Sequence, residues 1–138
     1  MSKINSAREL VALAAKVAIE AYAPYSGFRV GAAVQGERGV YFGTNVENAS
    51  YGLALCAERA ALAAAVAAGE RRISAIGIAC IDAPADAGSE RRLPCGACRQ
   101  WLAELAPNAV LATLGGAHDY SVPELLPFAF AFSDKTQP

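Results

Sequence analysis

Between Ser6 and Tyr22 apolar residues return at helical spacing, with Leu10, Leu13, Ala14, Val17 and Ala18 on one side and the charges elsewhere. Ser6, followed three residues later by Glu9, predicts a capping box at the start of this helix, and Pro24 closes it. The segment reads as purely structural. Phe28 to Val34 and Val40 to Asn45 are short and β-compatible, and Gln35 to Gly39 joins them as a hairpin. Gly31, Ala32 and Ala33 are small for a strand and imply a helix packed closely across it. A polar loop from Asn45 to Tyr51 leads to a second helical run, Ala60 to Ala68, which Gly69 stops.

Ile73 to Ile81 reads as a strand buried on both faces. Asp82 to Leu93, with the cluster Glu90-Arg91-Arg92, is a loop, and a third helix with an apolar face over Gln100 to Leu105 stops before Pro107. Val110 to Leu114 is another strand, Gly115-Gly116 a turn, and His118 to Val122 a short fifth strand. One helical turn over Pro123 to Leu126 precedes a tail bearing Phe128, Phe130 and Phe132. This order predicts an α/β fold, a three-layer α/β/α sandwich around a mixed five-stranded sheet, in one domain over residues 1–138.

The chain has 138 residues, 54% of them hydrophobic and 18% charged, which is the composition of a globular domain with a substantial core. A net charge of −1 offers no general attraction for nucleic acid or acidic membrane surfaces, so neither is an expected partner. Charges interrupt the N-terminal apolar residues, and no apolar run reaches the roughly 20 residues of a membrane helix. A cytoplasmic protein is expected.

That compartment bears on the four cysteines, because a reducing environment and the spacing of three of them favour metal over disulfides. Cys56-Ala57-Glu58 and Pro94-Cys95-Gly96-Ala97-Cys98-Arg99-Gln100 each open a helix. Backbone N–H groups at a helix start favour thiolates, the form that binds metal. Cys56, Cys95 and Cys98 are therefore expected to hold one zinc ion, and three protein ligands leave a fourth position for water, as in catalytic sites. Glu58, in the same first turn, can reach that water without ligating the metal. A ligand two residues before a non-ligand Glu, followed by Pro-Cys-x-x-Cys, is the established signature of zinc deaminases.

Ala23-Pro24-Tyr25-Ser26, Asn45-Val46-Glu47-Asn48, Cys56-Ala57-Glu58-Arg59 and Pro94 to Gln100 occur in this order. Between Tyr22 and Phe130 the chain thus resembles the small, three-cysteine, homotetrameric cytidine deaminases of the cytidine/deoxycytidylate deaminase superfamily. The resemblance implies zinc-dependent hydrolytic deamination of cytidine and 2'-deoxycytidine in pyrimidine salvage, with one Zn2+ per subunit and sites shared between subunits. It makes Glu58 the proton carrier, and it implies that Arg59 and Arg99 hydrogen-bond to the ligating sulfurs and offset the negative charge of three thiolates. It makes Phe28 the base-packing aromatic, gives Asn45 and Glu47 the ribose hydroxyls, adds Ala57 to the substrate contacts, and brings Tyr51 and Phe130 from neighbouring subunits.

Leu93 stands where the family often has a small hydroxyl residue, and the Asp82 to Leu93 loop is long and basic, so the base substituent and the sugar stay open. Relatives with this metal site act on blasticidin S, guanine or modified cytosines; Asn45, Glu47 and Asn48 favour a ribosyl substrate. The reading from another class is a non-catalytic zinc-binding module, which would need a fourth protein ligand. Cys80, the spare thiol, reads as a small core side chain, and His118 as an exposed loop residue.

Overall fold

The computed structural model describes residues 3–132. Helix α1 (Ala7–Ala18) opens with the predicted capping box: Glu9 N–H donates to Ser6 Oγ at 3.1 Å, and Ser6 N–H donates to Glu9 Oε1 at 3.0 Å. It ends earlier than the apolar spacing predicts, because Tyr22 is extended. Tyr22 N–H donates to Asn45 O and its carbonyl accepts from Glu47 N–H, a short parallel bridge that the helical conformation would forbid.

Strands β1 (Val30–Gln35) and β2 (Val40–Thr44) form the expected antiparallel hairpin, in register from Gly31 opposite Thr44 to Gln35 opposite Val40. Helix α2 (Ala57–Ala67) follows, then β3 (Ala75–Cys80), every residue of which is buried. Helix α3 (Gly96–Leu105), β4 (Val110–Thr113), β5 (Tyr120–Ser121) and the single turn α4 (Val122–Leu125) complete the order. The sheet runs β2-β1-β3-β4-β5, with β3 and β4 parallel and the other pairs antiparallel. No described helix is long and apolar enough to cross a membrane.

Alternation along the two central strands builds the three layers. Ala33, Ala75 and Ala79 meet α1 through Leu10, Val11 and Ala14. The opposite face carries Val34, Ile76 and Ile78, which pack with Leu62 of α2 and Leu102 of α3. The α1 face is lined by small residues because the helix backbone lies directly on the sheet: a methyl group at Gly31 or Gly77 would overlap the backbone of α1.

Two buried polar residues stabilise the hairpin end, and neither is marked by local sequence. Gln35 is fully buried; its Oε1 accepts from Asn5 N and Nδ2, and its Nε2 donates to Gly36 O. Glu70 accepts from the backbone N–H groups of Glu37 and Arg38 and from the Tyr41 hydroxyl.

Candidate metal centre and its surroundings

Cys56 is the residue that caps α2, Cys95 caps α3, and Cys98 lies in the first turn of α3. The two helix starts converge, so Cys56 Sγ lies 3.8 Å from Cys95 Sγ, and Cys95 Sγ lies 3.6 Å from Cys98 Sγ. All three sulfurs fall within 4.8 Å of one another. Tetrahedral zinc with Zn–S bonds of about 2.3 Å requires sulfurs about 3.8 Å apart, so the donor set fits that ion. All four cysteines are free thiols; Cys80 is buried in β3 and stands outside the cluster.

The approach of α2 to the sheet depends on Gly43, where a methyl group would overlap the backbone of Ala57 and Ala61. Ala57 is consequently fully buried. Glu58, the next residue, is 5% exposed. Burial, with a contribution from the Cys56 charge, raises its carboxyl to about 7, while its own backbone N–H and Arg59 pull the other way. Hydrogen bonding from Cys98 draws the Cys56 thiol down to about 5, with Arg59 and Cys95 contributing, and Cys98 is correspondingly pushed up.

The two arginines beside the cysteines behave differently. Arg59 Nη2 donates to Cys56 Sγ at 3.4 Å, and its buried Nε has no partner among the described residues. Arg99 departs from the expected sulfur contact: its Nε donates to Pro94 O and its Nη1 to Leu125 O, both at 2.8 Å. It braces the Pro94-Cys95 turn against α4, because the Leu125 carbonyl at the end of that turn is free to accept.

Phe28 is half-buried and packs against the α2 side of the core. Asn45 spans the start of β1, accepting from Val30 N–H and donating to Phe28 O, each at 2.8 Å. Glu47 accepts from the backbone N–H groups of Tyr25 and Ser26 and from the Ser26 hydroxyl, which holds its carboxyl below the ordinary value. Tyr25, Ser26, Glu47 and Tyr51 border a cavity of about 280 Å3. Tyr51 is 78% exposed and meets Tyr25 edge-on at 6.3 Å. Phe130 is 73% exposed, and its carbonyl accepts from Gln100 Nε2.

A larger cavity of about 850 Å3 lies between the C-terminal ends of α2 and α3, lined by Leu62, Val66, Glu70, Ile73, Leu105 and Pro107 among others. It contains no cysteine and is at the far end of both helices from the sulfurs. Sequence reasoning missed Ser26 and Gln100 as supports, although both lie inside motifs it singled out; Gln100 adjoins the predicted Arg99, and Ser26 carries no signal beyond its motif.

Residues 4–114 match the family described as the cytidine and deoxycytidylate deaminase zinc-binding region. The cytidine deaminase of Halalkalibacterium halodurans is 46% identical over 120 residues, covering 83% of this chain and 86% of that protein. That of Sporosarcina psychrophila is 39% identical, covering 91% of this chain and 92% of that protein. The crystal structure of cytidine deaminase from Burkholderia pseudomallei superimposes with a TM-score of 0.75 at 42% identity, covering 91% of this chain and all (100%) of that one.

Proposed function

The chain belongs to the cytidine and deoxycytidylate deaminase family as a zinc-dependent deaminase, and from that membership we propose that it hydrolyses the C4 amino group of cytidine and 2'-deoxycytidine, giving uridine and 2'-deoxyuridine in pyrimidine salvage. The observation that carries the reading is the triangle of sulfurs at zinc-compatible spacing with buried Glu58 in the same helical turn as Cys56. Cys56, Cys95 and Cys98 hold one zinc ion per subunit, which when bound supplies Lewis acidity and an activated water nucleophile.

Glu58 carries the protons. Its carboxyl, raised to about 7, both accepts and releases a proton near neutrality. A proton taken from the attacking water passes through Glu58 to ring N3, which makes C4 the electrophile. Once the C4–O bond has formed, the remaining hydroxyl proton passes through Glu58 to the amino group, the C4–N bond breaks, and ammonia leaves. Arg59 offsets the negative charge of the sulfurs through Cys56. Arg99 holds the turn that presents Cys95.

Phe28 packs against the base, with the backbone of Ala57 beside it, and Asn45 and Glu47 take the ribose hydroxyls. Asn45 makes one side-chain bond in each sense, to Val30 and Phe28, and so keeps one N–H for a ligand. Glu47, kept ionised by Ser26, disfavours a phosphate on the sugar. The enzyme is a cytoplasmic homotetramer folded as one domain per subunit, with Tyr51 and Phe130 entering neighbouring sites. Their exposure, shared by Phe128 and Phe132 at 105% and 94%, supports burial between subunits.

The test is to incubate zinc-loaded protein separately with cytidine, deoxycytidine, cytosine, cytidine monophosphate and blasticidin S, following ammonia release. Turnover confined to the two nucleosides supports the proposal. Turnover of blasticidin S alone removes the assignments of Asn45 and Glu47, and inertness of the zinc-loaded protein removes the reaction.

A further inference from the structure

Arg92 is 8% exposed, yet no carboxylate pairs with it among the described residues. Its guanidinium is occupied by carbonyl oxygens alone. Nε donates to Ala87 O at 3.1 Å, Nη2 to Pro84 O and Ala85 O at 3.2 Å each, and Nη1 to Leu114 O at 2.6 Å. Three of these carbonyls belong to the loop between β3 and α3, and the fourth to the end of β4. One side chain therefore folds the loop back onto the sheet.

A buried cation without a counter-charge is costly, so its position calls for a cause beyond filling space. Two features supply one. The first is sequence distance: Arg92 stands three residues before Cys95, and the intervening Leu93 and Pro94 are themselves packed, Leu93 N–H donating to Ser89 O and Pro94 being buried. The second is charge. The loop itself carries the carboxylates of Asp82, Asp86 and Glu90, yet the guanidinium is held by backbone carbonyls alone. Gly115 is fitted to the same guanidinium: its φ is +75°, and a methyl group there would press on Arg92 Nη1.

We propose that Arg92 is a positioning residue for the metal centre, clamping the loop so that the Pro94-Cys95 turn presents Cys95 and Cys98 at the spacing zinc requires. Lysine cannot replace it, because a single ammonium cannot span carbonyls spread over two segments. The inference rests on the zinc reading above.

Chelator competition on the intact protein tests it, with the spectrum of the cobalt-substituted protein as a second readout. Arg92→Lys is expected to weaken zinc binding by roughly 10- to 100-fold and to alter the sulfur-to-cobalt absorption, with KM for cytidine within about twofold of the parent. Gly115→Ala, which keeps the arginine but displaces it, is expected to act in the same direction and serves if Arg92→Lys does not fold. Arg29→Lys is the control, since Arg29 holds the other end of the loop through Asp82. It should lower the unfolding midpoint and leave zinc affinity unchanged. Parental zinc affinity and cobalt spectrum in the folded Arg92 or Gly115 variant would overturn the proposal, as would equal weakening in Arg29→Lys. A parent that binds no zinc defeats the zinc reading as well, whereas a zinc-binding parent with unaffected variants defeats this inference alone.

Discussion

The hydroxyl of Ser26 donates to the carboxylate of Glu47, which also accepts from the backbone N–H groups of Tyr25 and Ser26 at 3.1 Å each. The carboxylate is therefore fixed from the segment before β1 and not from its own loop. Ser26→Ala is expected to raise KM for cytidine about fivefold with kcat nearly unchanged, since it loosens the sugar contact proposed for Glu47 and leaves the proposed proton carrier, Glu58, untouched. Steady-state kinetics on cytidine check this; a fall in kcat with constant KM would contradict it.

Glu58→Gln retains the shape of the buried side chain and removes its ability to exchange protons. Zinc content should remain at the parental level while kcat falls by about 10²–10⁴-fold. Metal analysis alongside turnover separates the two effects. A variant that loses zinc in proportion to activity would assign Glu58 to the metal instead.

Removing zinc should expose two thiols and leave two protected. Cys95 is exposed and Cys56 half-buried, whereas Cys98 and Cys80 are both buried, and burial pushes the Cys80 thiol up to about 12. Titration with an aromatic disulfide reagent is expected to show slow reaction in the zinc-loaded protein and rapid reaction of Cys95 and Cys56 after chelation. Cys98 and Cys80 should react only on unfolding.

Asp82 accepts from Arg29 Nε and Nη2 at 2.9 Å each and from Arg29 N–H at 2.8 Å, and the hydrogen bond from the guanidinium draws its carboxyl from 3.8 down to about 2. A depressed folded-state value means that the stabilisation is complete above about pH 4 and disappears as pH falls towards 2. Asp82→Asn should therefore unfold at lower urea than the parent at pH 7, and the gap should close between about pH 4 and pH 2. Urea midpoints at a series of pH values measure it; a gap independent of pH would show that the carboxylate charge is not the cause.

Local signals carried much of the layout. Ser6 and Glu9 marked a helix start because a capping box involves residues three apart. Cys56, Cys95 and Cys98 were legible because each sits at the start of a helix, and only their convergence needed the sheet order. What could not be read depends on distant partners. The early end of α1 is set by Asn45 and Glu47, which bridge to Tyr22. Gln35 is buried because Asn5 reaches it, and Arg92 because Leu114 lies across the sheet. Arg99 turned from the sulfurs to Leu125 O for the same reason: the direction of a long side chain is decided by which carbonyl the tertiary fold leaves unpaired.

The two faces of the sheet should differ in how freely they can change over generations. Beneath α1, the contact is made by Gly31, Ala33, Gly77 and Ala79, which leave at most a methyl group to give up in compensation for a larger neighbour. On the other face, Val34, Ile76, Ile78, Leu62 and Leu102 can exchange volume among themselves. Core volume can thus be redistributed more freely on that face than beneath α1, except where α2 rests on Gly43. Because that side also carries α2 and α3, the helices that hold the cysteines, remodelling of the catalytic half can proceed over an unchanging foundation.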